Sequence, residues 1–210
     1  MSLAEYYKYH IFPRIMDNGI RVSEVFQLRR QLLLEANGRI LEIGYGTGSN
    51  LKFYPTHIKS ITAIEPNKGM RLFDTNQTNI NVELFEIPAE KLDFPDETFD
   101  CVISMFTLCS VKNLEKTLSE IKRVLKKDGA LLFLEHGKEQ KKLIAFFQRL
   151  FNPVQKVLGD GCVLTNNFHD IIKNAGYKIE NCQSARIKKV SPLYNYFYFG
   201  NAYKSDTELK

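Results

Sequence analysis

Three glycines at alternate positions, Gly44, Gly46 and Gly48, stand between two acidic residues, Glu42 and Glu65. Lacking a Cβ, such residues let the backbone turn sharply and bring amide N–H groups against a ligand. Glu42, two residues before the first glycine, is of a type that accepts hydrogen bonds from an ammonium group and would repel a pyrophosphate. Glu65 lies seventeen residues beyond Gly48, where an acidic residue in doubly wound nucleotide folds accepts from the two hydroxyls of a ribose. The loop reads G-x-G-x-G. Position 49, which the dinucleotide fingerprint G-x-G-x-x-G requires to be glycine, is Ser49, so a nicotinamide dehydrogenase is disfavoured.

These residues need a sheet edge to hold them. Val22, Val25, Phe26, Leu32, Leu33 and Ala36 share one helical face, and Asn37-Gly38 supplies the residue types that stop a helix. A strand over Arg39 to Ile43 then runs into the glycine loop. Further apolar runs at 58–64, 82–85, 101–105 and 130–134, separated by helix-capable stretches, predict a parallel β-α-β arrangement. A helix is expected over 113–125, with Leu114, Leu118, Ile121 and Leu125 on one face, and Asp128-Gly129 is expected to turn the chain into the strand that ends at Glu135. Residues 138–158 mix Lys and Arg with Leu143, Ile144, Phe146, Phe147, Leu150 and Phe151, and Asn152-Pro153 predicts a break. A short helix over 168–175 precedes two strand-like stretches, 177–187 and 194–203, joined across Ser191-Pro192.

At 210 residues the chain amounts to about 1.4 average domains, and we expect one. The 44% hydrophobic and 25% charged content excludes a disordered or low-complexity protein. No apolar stretch approaches the ~20 residues that cross a bilayer, and the first ten residues hold no apolar h-region, so a cytoplasmic protein is expected. Cys101, Cys109, Cys162 and Cys182 show no C-x-x-C spacing and read as structural thiols in a reducing compartment, with no metal expected. His10, His57 and His169 offer no metal-ligand spacing either. Residues 138–210 hold 12 basic and 6 acidic groups against 17 and 18 before them. That excess is a solvated basic face, or a contact with an anionic partner.

The chain resembles the class I S-adenosylmethionine-dependent methyltransferases, from about Tyr6 to Tyr203. The matching stretches are Leu41-Glu42-Ile43-Gly44-Tyr45-Gly46-Thr47-Gly48, Ile64-Glu65-Pro66-Asn67 with Met70, Pro88-Ala89-Glu90-Lys91-Leu92, Phe99-Asp100-Cys101-Val102-Ile103-Ser104 and Arg123-Val124-Leu125-Lys126-Lys127-Asp128-Gly129. The resemblance implies an α/β, Rossmann-like, seven-stranded and mostly parallel sheet with a C-terminal antiparallel strand pair and helices on both faces. A cofactor-binding core over 38–137 would follow an N-terminal helical segment (1–37) and precede a helical cap (138–176) and the strand pair (177–203). It implies S-adenosyl-L-methionine as cofactor, with Glu42, Gly44, Gly46 and Gly48 at the methionine end, Glu65 at the ribose, and Tyr45 and Pro66 also among the cofactor-binding residues. Met70, Ala89 and Glu90 would surround the adenine, with Met105 and Phe106 at the mouth of the fourth strand. Family members often carry an acidic residue where Pro88 stands, so adenine recognition is expected to rest on backbone groups.

A narrower resemblance lies in Leu108-Cys109-Ser110-Val111-Lys112-Asn113, Glu135-His136 and Asp160-Gly161-Cys162-Val163-Leu164-Thr165. These look like the animal methyltransferase-like seven group, associated with thiol methylation, and its bacterial relatives. Quinone-biosynthesis methyltransferases tend to carry a His pair at Cys109-Ser110, Asn166 replaces an Arg of the animal group, and no apolar N-terminal anchor is visible. Methyl transfer from a sulfonium demands alignment, exclusion of water and management of one proton, but no metal or nucleophilic residue. His136, ending the fifth strand, is the candidate proton acceptor, or else it orients a neighbour. Tyr6 to Ile20 and Lys138 to Thr165 are expected to roof the site. Their apolar character predicts a small-molecule or lipid-like acceptor (a thiol, a phospholipid headgroup or a quinone) and no nucleic acid. Peripheral membrane contact through 138–158 is the alternative role for the basic residues there. The rival class is a non-catalytic nucleic-acid or membrane-surface binder, and the oligomeric state is not specified.

Overall fold

The computed structural model describes residues 1–19, 22–71 and 78–204. Seven stretches form β1 (Ile40–Ile43), β2 (Ser60–Ile64), β3 (Asn81–Phe85), β4 (Phe99–Met105), β5 (Leu125–His136), β6 (Tyr177–Arg186) and β7 (Tyr196–Lys204). They make one seven-stranded sheet in the order β3-β2-β1-β4-β5-β7-β6. Strands β1 to β5 run parallel. β7 inserts antiparallel between β5 and β6, so the expected α/β Rossmann-like sheet with its C-terminal antiparallel pair is present. All four residues of central β1 are buried, as a parallel strand covered on both faces requires. The first seven residues of β7 are buried too, matching its run of aromatic residues on both faces.

Helices cover both faces. α3 (Ser23–Leu33) buries Val25, Arg29, Leu32 and Leu33, packing into a core with Ile40, Ile103 and Leu132. On the other face α5 (Leu114–Val124), capped by the Asn113 side chain accepting from the Lys116 amide, buries Leu118, Ile121 and Val124. These join Leu41, Val102 and Phe133. The remaining helical pieces are α1 (Leu3–Tyr6), a π-helical turn (Tyr7–Ile11), α2 (Phe12–Gly19), α4 (Lys68–Arg71), α6 (Lys142–Leu158) and α7 (Phe168–Asn174). Strand order reverses between β1 and β4, so the loops leaving their carboxyl ends diverge and open a crevice there.

Four local expectations are corrected. The stretch after the glycine loop forms a single 3-10 turn, Leu51–Phe53, rather than an α-helix. Tyr54, preceding Pro55, is forced extended. Residues 86–98 between β3 and β4, interrupted by Pro88 and Pro95, likewise contain no helix. Asp128-Gly129 does not end one element and start another, because β5 begins at Leu125. The pairing jumps from Phe99 with Leu125 to Cys101 with Ala130, so the turn residues are accommodated as a bulge. Finally, α6 runs unbroken through Pro153. Proline removes one N–H, and the carbonyl it would have bonded belongs to Arg149, an exposed residue whose backbone can turn to water.

Candidate active site

The glycine loop leaves β1 with Gly44, Gly46 and Gly48 all at positive φ, between 59° and 71°. The N–H groups of Gly44 and Tyr45 both donate to the Ile64 carbonyl, at 2.9 and 3.0 Å, which folds the loop back over the end of β2. A Cβ on Gly44 would overlap the Thr107 hydroxyl, so this glycine is required by the approach of the loop after β4. A Cβ on Gly46 would meet nothing nearer than 3.9 Å, leaving open space on the concave side of the loop. Facing it is Glu65, buried, with Oε2 accepting from the Gly46 N–H at 2.9 Å and Oε1 from the Asn67 N–H at 2.8 Å. Burial pushes the Glu65 carboxyl up, and those two amides pull against that rise. Open space at Gly46 with a buried carboxylate at its rim, each oxygen keeping a lone pair, fits a ligand carrying ribose hydroxyls.

Glu42 is 1% exposed. Its Oε1 accepts from Asn50 Nδ2 at 2.9 Å and its Oε2 from the Tyr54 hydroxyl at 2.6 Å. Buried Arg29 of α3 donates to Asn50 Oδ1 and, at 3.3 Å, to Ser49 Oγ. Burial lowers the guanidinium to about 10, with Glu42 opposing that fall. Burial raises the Glu42 carboxyl, against the pull of Tyr54, Asn50 and Arg29. Arg29, Asn50 and Tyr54 were not singled out in the sequence. Arg29 carried a signal, because it sits four residues after Val25 and four before Leu33 on the apolar stripe of α3, where a charge needs a partner.

On the adenine side of the expected site, Met70 in α4 and Ala89 are buried, and Pro66 is exposed at the end of β2. Glu90 is turned to the protein itself, its Oε1 accepting from the Lys112 and Asn113 amides at 2.7 and 3.0 Å. It thereby fixes the loop that follows β4. Tyr45 is buried in the core beneath the loop with Met105. Phe106 adopts the left-handed conformation, φ 60°. Its ring packs edge-on to Phe197 and under the Arg29 guanidinium. Such local strain is held in place by packing on both sides.

Beyond Phe106 the chain wraps around Glu135. This fully buried carboxylate accepts from Ser104 Oγ and from the Thr107 and Leu108 amides, all within 3.0 Å. The Cys109 amide approaches its second oxygen at 3.4 Å. Glu135 therefore shapes the turn that presents Cys109. His136, the next residue, directs Nε2 to Cys162 Sγ at 3.1 Å, while its buried Nδ1 has no partner among the described residues. Cys109, His136 and Cys162 all offer ligand-type atoms within 4.8 Å of one another. Burial lowers the His136 imidazole, but the Cys162 sulfur more than offsets this and the net direction is up. The thiols part company: Cys162 is lowered by its hydrogen bond with Cys109 and by His136, and Cys109 is raised by Cys162 and by burial. Cys101 lies in the core and Cys182 is half-buried, as structural thiols.

The two expected roof segments meet. Tyr7 donates from its hydroxyl to the Leu158 carbonyl at 2.7 Å, and Lys8 pairs with Asp160 at 2.9 Å. Asn67, next to the Glu65 carboxylate, donates to the Lys8 carbonyl at 3.2 Å. Ile20, the last residue of the expected N-terminal roof, lies outside the described residues. An open basic cleft of about 880 Å³ between α6 and β6, lined by Lys138, Lys142, Arg149 and His169 among others, includes none of the predicted site residues.

A family model described as a methyltransferase domain matches residues 41–133. The human thiol S-methyltransferase TMT1B is 36% identical over 154 residues, 69% of this chain and 63% of that protein. The chain thus spans less than two thirds of the length of that relative. A phosphatidylethanolamine N-methyltransferase of Cereibacter sphaeroides is 32% identical over 146 residues, 66% of this chain and 71% of that protein. Among solved structures, a Thermotoga maritima methyltransferase described as a possible histamine N-methyltransferase superposes with a TM-score of 0.64 at 22% identity, covering 94% of this chain and all of that one, a likeness of fold.

Proposed function

The chain belongs to the class I S-adenosylmethionine-dependent methyltransferases, and from that premise we propose that it methylates the sulfur of a small thiol with an apolar body. S-adenosyl-L-methionine is the cofactor, and its sulfonium supplies an already activated methyl group. The glycines, with Tyr45 and Glu42 beneath them, take the methionine end. Glu65 and Pro66 take the ribose, while Met70, Ala89 and Glu90 border the adenine. Met105 and Phe106 form the floor below the methyl. The roof of Tyr7, Lys8, Leu158 and Asp160 excludes water and holds the acceptor in line. His136 is the group on which loss of the acceptor's proton depends. The new bond joins acceptor sulfur to methyl carbon, the sulfonium–methyl bond breaks with its electron pair on the departing sulfur, and the thiol proton is released.

The observation that carries the thiol reading is spatial. Cys109, His136 and Cys162 lie far apart in sequence within the three stretches that resemble the thiol-methylating group, and they converge within 4.8 Å of one another. The 36% identity to a human thiol S-methyltransferase supports it. A second reading, transfer to a phospholipid headgroup amine, is favoured by α6, whose Leu143, Phe146, Leu150, Val154 and Val157 stand exposed. No helix of the described residues is long and apolar enough to cross a membrane, so such contact would be peripheral. Labelled S-adenosylmethionine offered with alkyl thiols, phosphatidylethanolamine vesicles and RNA separates the cases. Transfer to thiols alone is expected, vesicle-dependent transfer to amines moves the conclusion to the second reading, and transfer to RNA alone overturns both.

A further inference from the structure

The geometry points to a binding site for one thiophilic divalent cation, of which Zn²⁺ is the type, held by Cys109 Sγ, His136 Nε2 and Cys162 Sγ, with a fourth position open to the acceptor thiol. The cation site stands on its own observations. Its role toward the acceptor rests on the thiol reading above.

Two sulfurs and an imidazole nitrogen converge within 4.8 Å of one another, the Nε2–Cys162 Sγ separation being 3.1 Å. A tetrahedral ion with metal–sulfur bonds of about 2.3 Å and metal–nitrogen bonds of about 2.0 Å sets its donors about 3.5 to 3.8 Å apart, so the Nε2–Cys162 pair opens by a few tenths of an ångström and any wider separation closes around the ion. Donor chemistry selects the ion. Sulfur and imidazole suit zinc or other thiophilic metals, whereas magnesium and calcium demand oxygen ligands. The three donors come from separate elements, and each is fixed independently. Glu135 gathers the amides of the Cys109 turn. Val163 donates to the Cys109 carbonyl at 2.8 Å, which clamps the Cys162 loop to that turn. The His136 ring rests edge-on against Tyr194. Such preorganisation is what a metal site requires and what two packing thiols do not.

The electrostatic setting agrees. Glu135, whose second oxygen the Cys109 amide approaches, lies beneath the cluster, so a dithiolate formed here without a cation would add charge beside a buried carboxylate. Binding by two thiolates and a neutral imidazole releases two protons and leaves no net charge over the ion and its three ligands. Three protein ligands with a vacant position is the arrangement of catalytic rather than closed structural zinc. An acceptor thiol entering that position is deprotonated there, its proton passing to water. The thiolate pair then forms the bond to the methyl carbon while the sulfonium–methyl bond breaks toward its own sulfur. The resulting thioether is a poorer ligand and leaves. His136 thus acts as a ligand, which explains why its ring faces sulfur and not open solvent.

Titration of reduced, metal-stripped full-length protein with Co²⁺ tests the site without reference to turnover. Expected are one equivalent bound, a thiolate-to-cobalt charge-transfer absorption, displacement by Zn²⁺ and loss of the absorption in Cys109→Ser and in Cys162→Ser. Cys182→Ser should bind like the parent, and calorimetric binding of S-adenosylmethionine by the variants verifies that they fold. Absence of stoichiometric binding to parent protein that binds S-adenosylmethionine overturns the proposal, as does equal binding by the Cys109→Ser/Cys162→Ser double variant. The thiol reading is judged separately. Undiminished methyl transfer to alkyl thiols by metal-free enzyme overturns the role of the cation and keeps the thiol. Stoichiometric cobalt binding with no transfer to any thiol removes the acceptor and keeps the site.

Discussion

The Gly46 N–H donates to the Glu65 carboxylate at 2.9 Å, so the tip of the glycine loop and the end of β2 are joined before any ligand arrives. Two features legible separately in the sequence are thereby one device. Gly46 supplies the turn, and the same amide that would otherwise point at solvent orients the carboxylate. With Asn67 donating to the other oxygen, Glu65 is held in one rotamer and each oxygen still has a lone pair for a ribose hydroxyl.

Glu65→Ala should therefore weaken S-adenosylmethionine binding by about 1 to 3 kcal/mol, the range for charged hydrogen bonds. Glu65→Gln should recover only part of that, because an amide accepts at one atom alone. Calorimetry on both variants reads this directly, and an unchanged affinity would remove Glu65 from the cofactor site.

The same carboxylate makes cofactor affinity depend on pH. Burial raises its ionisation above the ordinary value of 4.5. The charged form is the one that accepts two hydroxyls, so affinity is full above the raised pKa and falls as pH drops through it, starting at a higher pH than an exposed glutamate would show. Folding has the opposite sign: a raised pKa stabilises the fold below the unfolded value, and that contribution is lost as pH rises through the folded one. Binding isotherms collected downward from pH 7 should show the fall in the parent and a flatter profile in Glu65→Gln.

Much of this was readable in the sequence, for a physical reason. Strands β1, β2 and β4 are buried on both faces, so they appear as unbroken apolar runs, and the glycine loop is local. What escaped was non-local. Asn50 and Tyr54 look like loop residues until β1 brings Glu42 beneath them. Cys109, His136 and Cys162 are separated by 27 and 26 residues, far from any metal-ligand spacing, and only the parallel order of β4 and β5 brings them together. Local rules failed at Pro153, where the freed carbonyl belongs to exposed Arg149 and can turn to water, and at Asp128-Gly129, where the pairing of β5 with β4 absorbs the turn as a bulge.

Arg29 offers a stability test. It is the buried cation opposite Glu42, linked to it through Asn50. Arg29→Met should destabilise the protein by about 3 to 5 kcal/mol, since it leaves a buried carboxylate without its counter-charge. Adding Glu42→Gln to that variant should restore part of the loss, because the unpaired charge is then gone. Urea unfolding of both single variants and the double variant gives the coupling, and strict additivity would mean the two groups do not interact.

The outer face of α6 carries the last prediction. Of its seventeen residues, Ala145 and Gln148 are the buried ones. Leu143 is 69% exposed, Phe146 59%, Leu150 60% and Val157 76%. Leu3, Tyr6, Ile11 and Ile15 of the N-terminal segment are exposed as well, and Tyr7 ties that segment to the carboxyl end of α6. An exposed apolar helix face with Lys141, Lys142, Arg149 and Lys156 on the same helix and its entry has the composition of a helix lying in a lipid interface, where the apolar side chains enter the acyl boundary and the cations meet anionic headgroups. Because these side chains make little contact with the core, replacing them leaves the fold intact, so a loss of binding reports the surface alone. The parent protein should sediment with vesicles containing anionic phospholipid and less with purely zwitterionic ones, weakening as salt screens the headgroups. Phe146→Glu with Leu150→Glu should lower vesicle partitioning by about tenfold or more, which corresponds to roughly 1.4 kcal/mol, while thermal unfolding stays unchanged. Equal sedimentation of parent and double variant would show that α6 does not face lipid, and would take with it the support this face gives to a headgroup acceptor.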